Sequence, residues 1–445
     1  MATDTEAFFT KTRPARLFFS AAIPGALGMV ISSIYEVMDG VFVGQFVGET
    51  AFAAINLAMP FVIIDFAFGD LIGVGSAVPI SIAHGAGDRD KANNIFTCAC
   101  LLNVVTGFLL GLAFLLAAPA LMAAMGATGE LARQGAIYLQ VYSLFLPITA
   151  IAFAADNYLR ICGRIRYSLM INILLAVSGA AIEYVLLGIV GFGVGGAALS
   201  YSVALVLCVV VALWPFFRQK MELRFVRPRF SWRLIAEIVR DGAPAFLSNV
   251  ASRLAAIVLN VVLLALGGTD AVSIYGTLMF TDAVVVPLTY GTLDALQPAV
   301  GYNYGAKLYG RVKSLERYCF AAAAAISAVY IVAVNAFPAQ IVQVFIPDVE
   351  SSVLDEAVGA LRLFSLAYLF RWFPFAMRAY MVAVGQARLS SVISLVDALV
   401  SPLIALAILW PFGLTGIWLN MLVSSVLATI VAGWCFVVFR RTSRW

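Results

Sequence analysis

The residues that could do chemistry are those that interrupt long apolar stretches. Glu36 and Asp39 lie three apart, hence on one helical face, about 30–35 Å of helix length beyond Arg16. Glu183 falls at a similar depth in a later stretch, and further acids occur at Asp65, Asp70, Asp156 (beside Asn157), Asp282, Asp294 and Asp397. Arg253, Arg371 and Arg378 are the cations inside such stretches. At the centre of a membrane helix each charge costs about 2.5–3.5 kcal/mol on insertion scales, so such residues need a partner or a task.

Asp39 and Glu183 have no cation nearby in their own stretches, and a lone carboxylate at that depth is either protonated or bound to a cation. They are the leading candidates for coupling to a cation, with Glu36 beside them. Asp156 precedes Arg160 by four residues, so an interfacial ion pair is as available to it as a functional role. Asp70 and Asp397 could pair with arginines or cap broken helices, and Arg371 and Arg378, seven apart on one face, could be their counter-ions. Asp282, Asp294 and Arg253 are candidates for the wall of a substrate cavity.

Other chemistry lacks its residues. The chain has no G-x-x-x-x-G-K-[ST] loop for ATP and no G-x-G-x-x-G after a strand. Its single histidine, His84 in IAHGAGDRDKAN, reads as a loop or packing residue, and no His/Cys cluster suggests a metal. The six cysteines (Cys98, Cys100, Cys162, Cys208, Cys319 and Cys435) form no CxxC pair and fall in or at the ends of apolar segments, so they read as packing residues. No enzyme activity, cofactor or metal is expected.

The elements that must position these side chains are membrane helices. Of 445 residues, 63% are apolar and 12% charged, against about 45–50% and 25% in soluble domains. At about 20 residues per crossing this suffices for roughly a dozen spans with little left over. Apolar stretches fall near 17–43, 52–80, 94–118, 131–158, 168–190, 195–217, 235–266, 271–300, 314–338, 354–382, 389–410 and 415–439. The first runs on for some 27 residues with no A-x-A site, which argues against a cleaved signal peptide.

Basic residues sort the loops. About 23 of the 28 Lys and Arg, from Lys11 to Arg444, fall on one side of such a bundle. The opposite loops hold GETA (48–51), GIVGFG (188–193) and the acidic PDVESSVLDE (347–356), with Arg133 the main basic exception. The positive-inside rule then places both termini in the cytoplasm, in a cell inner (plasma) membrane. The net charge of +4 is an orientation signal spread over short loops, with no nucleic acid as partner.

The longest loop, RQKMELRFVRPRFSWR (218–233), lies halfway along. A shift of about 220 residues superimposes Pro24 on Pro244, Gly48 on Gly268, Ala51 on Ala271, Gly85-Ala86 on Gly305-Ala306, Gly193 on Gly413 and Gly196 on Gly416. The fold expected is an all-α integral membrane protein of twelve transmembrane helices in two pseudo-symmetric six-helix lobes, 1–217 and 234–445, joined by a cytoplasmic linker, 218–233. An even number of spans per half makes the repeat parallel, with a central cavity suited to alternating access. Prolines inside the spans (Pro24, Pro60, Pro147, Pro244, Pro287, Pro374, Pro402) permit bends around it.

Several segments resemble those of the multidrug and toxic compound extrusion (MATE) transporters. IPGALGMVISSIYEVMDGVFVGQFVG (23–48) looks like that family's first helix. GVGSAVPISIAHGAGDRDKAN (73–93) and QPAVGYNYGAKLYGRVK (297–313) are similar to its loop motifs after helices two and eight, and DNYLRICGRIRYS (156–168) to its loop after helix four. The resemblance covers essentially the whole chain. It implies that Asp39 is the family's first-helix aspartate, that its helix-five acid falls on Glu183, and that Asn157, with Asp156 beside it, matches its helix-four asparagine. Two departures matter. Helix five of the family often has Asn four residues before an Asp-Pro, where this chain has Gly179, Glu183 and Tyr184; losing the amide removes a Na⁺ ligand and favours protons. The family's other coupling arrangement, with acids in helices seven and ten, has no match, and helix ten here offers arginines.

The resemblance implies a secondary active antiporter that exports amphipathic, cationic organic compounds in exchange for H⁺ or Na⁺. Its partners would be small-molecule substrates and membrane lipid, and it would act as a monomer. The alternative is a lipid-linked oligosaccharide flippase of the same superfamily, whose pyrophosphate head would demand several cavity-facing cations, for which only Arg253, Arg371 and Arg378 are available.

Overall fold

The computed structural model describes residues 4–345 and 351–442, and every regular element among them is helical. In lipid a helix satisfies its own backbone polar groups where no water can, so long apolar runs have little alternative. A short helix α1 (Asp4–Lys11) precedes six crossings. These are α2 (Pro14–Phe46), α3 (Glu49–Gly85), α4 (Arg89–Ala124), α5 with α6 (Gly129–Thr149, Ile151–Ile161), α7 (Ile165–Glu183) with a π-helical turn at Tyr184–Ile189, and α8 (Gly193–Phe217). The second six begin with α9 (Trp232–Asp294), which holds two crossings and runs on into α10 (Gln297–Gly305). They continue with α11 (Tyr309–Ala336), the short α12 (Pro338–Phe345), α13 with α14 (Ser351–Leu366, Tyr368–Ala383), α15 with α16 (Ala387–Leu395, Ser401–Leu409) and α17 (Gly413–Thr442).

By length and apolarity alone ten stretches among the described residues could cross a membrane. Twelve crossings result for two reasons. The last of the ten, Ala387–Thr442, is 56 residues long and folds back on itself at Gly413. The remaining crossing, α13–α14, is interrupted at Ala367 and carries Arg362, Arg371 and Arg378. Of the acidic stretch 347–356, residues 347–350 lie outside the described residues, as does Arg444 in the basic tail.

The 220-residue shift has a backbone meaning. Gly48 (φ 100°) and Gly268 (φ 63°) turn the chain between the first two crossings of each half, and Gly193 (φ 63°) and Gly413 (φ 56°) stand at the start of the sixth crossing of each. All four are in the left-handed region that a side chain disfavours, so glycine recurs where the turn recurs.

Each half also plants the beginning of its first helix in the other. Leu17 and Phe18 of α2 are buried among Phe375, Met377 and Tyr380 of α14, Val312 of α11 and Phe439 of α17. Leu234 and Ile238 of α9 are buried among Phe96 of α4, Leu159 of α6 and Phe216 of α8.

Between these anchors the halves touch backbone to backbone. A Cβ on Gly85 would stand 2.0 Å from the carbonyl oxygen of Tyr302, and one on Gly305 would stand 2.1 Å from that of Ile82. The two contacts are mates under the shift. Gly25 and Gly291 meet as closely, with built Cβ atoms 2.3 and 2.5 Å from each other's carbonyl oxygens, as do Gly75 with Ile238 (2.1 Å) and Gly242 with Leu71 (1.8 Å). All lie toward the face that carries the basic loops. Farther along the same helices, Glu36 and Arg253 are both exposed, with Arg253 the cation acting on Glu36 across the halves, so the halves part beyond the seam.

Candidate functional site

The first-half site is built from α2, α5, α7 and α8. α2 lies along α7 because Gly28 leaves room for the side chain of Asn172, with the amide nitrogen at 3.4 Å from a built Cβ. Higher up, Gly179 leaves room for the ring of Tyr35. Between these helices Glu183 is fully buried, and neither of its carboxyl oxygens has a hydrogen-bond donor from any described residue outside its pairing with Asp39. Asp39 is half-buried, and each carboxyl is the other's main side-chain partner. The helix widens into its π turn directly after Glu183, at the place where the family pattern has a proline. Two like charges in contact inside an apolar bundle are unstable together, so a proton or a cation must accompany them.

Tyrosines surround the pair. Tyr35 stacks on Tyr201 (centroids 6.1 Å, planes at 14°), Tyr201 on Tyr142 (6.4 Å, 18°) and Tyr142 on Tyr138 (6.5 Å, 9°). Asp65 joins the column at its third ring, its Oδ2 accepting a 2.8 Å hydrogen bond from the Tyr142 hydroxyl. The Tyr35 hydroxyl is buried without a hydrogen-bond partner among the described residues. The sequence analysis singles out none of these tyrosines. The i,i+4 spacing of Tyr138 and Tyr142 was visible, but nothing in one sequence places Tyr35 or Tyr201 beside them.

The other coupling candidates separate. Asp156 forms an ion pair with Arg160 at 2.5 Å, accepts a hydrogen bond from the Ser168 hydroxyl, and lies 3.5 Å from the Asn172 amide. Asn172 is eleven residues before Glu183, about 16 Å along the helix, so Asp156 belongs to a polar cluster nearer the basic face. The Asn157 amide is turned back onto the carbonyl of Phe153, 3.2 Å away. Glu36, although on the same face of α2 as Asp39, is exposed toward Arg253. The five candidates are therefore the Asp39–Glu183 pair, the exposed Glu36, Asp156 in a distant polar cluster, and Asn157 bonded to its own helix.

In the second half the cavity candidates are engaged with neighbours. Asp282 pairs with Arg371 and accepts from the Tyr368 hydroxyl, and the Arg371 guanidinium also lies 5.1 Å from the Phe375 ring centroid. Asp294 accepts a 2.7 Å hydrogen bond from Gln297. Asp70, from the first half, accepts one of 3.1 Å from Asn249 in the second. Arg378 sits 4.7 Å from the Tyr290 ring centroid, under the influence of Asp294, Asp397 and Asp70. The suggested role of the arginines as counter-ions takes this form: Arg371 is paired with Asp282 and is also the first cation acting on Asp397, with Arg378 second, while Arg378 is the cation acting on Asp70.

His84 is buried, 3.5 Å from Glu222. All six cysteines are buried and free, in keeping with packing. Among the described residues no group of three or more His, Cys, Asp or Glu could hold a metal ion.

Twelve crossings in two like halves, joined at one face and parted toward the other, are the frame of a membrane transporter. The chain belongs to the MatE family: the family model matches it twice, over residues 24–185 and 244–407, each match beginning at one of the paired prolines Pro24 and Pro244. Among curated proteins it is 24% identical over 434 residues to the multidrug export protein MepA of Staphylococcus saprophyticus, with 96% of this chain and 94% of that one covered. Among solved structures, the outward-facing conformation of a multidrug resistance MATE family transporter of the MOP superfamily superimposes with a TM-score of 0.92 at 21% identity, covering 99% of each chain. A MOP superfamily transporter from Pyrococcus furiosus, described as having a binding pocket of reverse polarity, superimposes with a TM-score of 0.91 at 22% identity, again over 99% of each.

Proposed function

We propose that this chain exports amphipathic, cationic organic compounds across the plasma membrane in exchange for an inward flow of H⁺, or of Na⁺, by alternating access. The observation that carries the reading is the facing pair of the half-buried Asp39 and the fully buried Glu183, with no cation from the described residues paired to either. A cation taken up there changes the charge between α2 and α7. It drives transport to the extent that its affinity differs between the two states of the lobes. The absence of an asparagine at Gly179 favours H⁺ as that cation.

Export is supported by the curated relatives' naming as multidrug export proteins. A cationic substrate is supported by the exposed Glu36 where the halves part, and by the commitment of Arg371 to Asp282, which leaves few cations for a pyrophosphate head. The units of the movement would be the lobes 1–217 and 234–445, with the linker 218–233 and both termini on the cytoplasmic side, in a monomer that needs no cofactor.

The test is transport by the purified protein in liposomes, with pH and Na⁺ gradients imposed separately and a fluorescent organic cation as cargo. Efflux against the cargo gradient under the pH gradient alone is expected. Movement of cargo that ignores both gradients would end the antiporter reading.

A further inference from the structure

The linker between the halves is strapped to the start of α4 by side chains of that helix. Asn93 accepts from the backbone N–H of Arg224 (2.9 Å), Thr97 from that of Val226 (3.1 Å) and Asn94 from that of Arg229 (2.8 Å), while the Asn94 amide donates to the Arg229 carbonyl (3.2 Å). The strap and the first turns of α9 enclose a cavity of about 560 Å³ on the basic face. Lys91, Arg229, Arg233 and Arg240 line it, against the single carboxylate of Glu237. Lys91 pairs with Glu237 at 3.6 Å and Arg240 with Asp241 at 2.8 Å. Arg229 and Arg233 have no ion pair among the described residues, which leaves two positive charges without a partner.

The other half shows what fills the equivalent place. Under the 220-residue shift Lys91 corresponds to Arg311 and Arg229 to Phe9. There Arg311 donates to the carbonyls of Phe9 (2.8 Å) and Thr12 (2.6 Å), and the Phe9 ring is buried in the core. One half thus closes the place with its own chain, and the other leaves a cationic opening.

We propose that this opening binds the phosphate of an anionic membrane lipid. Phosphate oxygens suit guanidinium groups because both can pair at two points. A lipid source is favoured over a free anion by the run RFSWR (229–233), in which Phe230 and Trp232, 48% and 86% exposed, alternate with the two arginines. Aromatic rings beside cations at a helix end are suited to the headgroup layer of a bilayer.

Native mass spectrometry of the intact protein in detergent tests this with three probes: phosphatidylglycerol, phosphatidylcholine and inorganic phosphate. The expected result is preferential retention of phosphatidylglycerol, weakened about fivefold in Arg229→Gln or Arg233→Gln and about thirtyfold in the double variant. Binding of inorganic phosphate that displaces the lipid and is lost in the same variants would support the phosphate site with a soluble source. Equal retention of phosphatidylglycerol by the wild type and the double variant, both eluting as intact monodisperse protein, would overturn the proposal.

Discussion

The ring of Tyr35 fills the place where a side chain on Gly179 would begin. A Cβ there would stand 2.6 Å from the tyrosine hydroxyl oxygen and 2.6 Å from Cζ, with backbone on either side leaving the ring as the part that must move. The glycine that removes the family's amide from helix five is therefore what admits a tyrosine next to Glu183.

Gly179→Ala should displace that ring from its stack on Tyr201 and destabilise the protein by about 1–3 kcal/mol, the usual cost of overpacking. Thermal unfolding in detergent reads the loss. Tyr35→Leu in the same chain should recover most of it, and equal melting of Gly179→Ala and wild type would contradict the packing.

Asp39→Asn keeps the size of the side chain and removes its charge. It should leave melting near the wild-type value and abolish efflux driven by a pH gradient, while Glu183→Gln should weaken efflux without abolishing it. Full pH-driven transport by Asp39→Asn in liposomes would remove this aspartate from coupling.

At the seam, a methyl group on Gly305 would lie 2.1 Å from the Ile82 carbonyl. Gly305→Ala should thus disfavour closure at the basic face. Spin labels at Asp88→Cys and Leu308→Cys, both exposed on that face, should show a longer mean separation in the variant, as should the mate substitution Gly85→Ala. Unchanged distance distributions would mean that the seam does not govern closure.

The Asp282–Arg371 pair is largely withdrawn from solvent, with side chains 15% and 14% exposed. Arg371→Met leaves the acid without its cation, which typically costs about 3–5 kcal/mol. Adding Asp282→Asn should restore much of the melting temperature; failure to do so would show that Arg371 matters for some other contact.

Sidedness is open to direct measurement. Cysteines placed at Asp88 and Arg227 should react with an impermeant maleimide only from the cytoplasm. Asp348 lies outside the described residues, so Glu49, exposed at the opposite end of α3, serves as the outer probe and should react only from outside. The six native cysteines are buried and should not interfere.

The helical architecture was legible because crossing a bilayer leaves a coarse signal, and the repeat because Gly48, Gly193, Gly268 and Gly413 hold backbone angles that few other residues accept. The deep position of Asp39 and Glu183 was legible from charge inside apolar runs. Their pairing was not, since it depends on how α2 lies along α7, and that is set by small residues such as Gly28 and Gly179 whose meaning appears only with the neighbour in place. For the same reason Asp156, grouped with the coupling residues by its nearness to Asn157, takes Arg160 and Ser168 as partners three turns away. The short helix α1 was hidden by its polarity, and its contact with Arg311 is 302 residues away in the chain.

The reciprocal anchoring of the halves constrains the order in which the chain can mature during synthesis. Leu17 and Phe18 precede every other crossing of the bundle in chain order, but their packing partners extend as far as Phe439. Until the ribosome has delivered α11, α14 and α17, the start of α2 lacks the neighbours that close its cluster on that side, although Ile165 of α7 and Leu293 and Leu296 near the end of α9 are already made. The first half can therefore be inserted early and finished only late, and its incomplete edge is the surface that a membrane chaperone or a quality-control protease would meet.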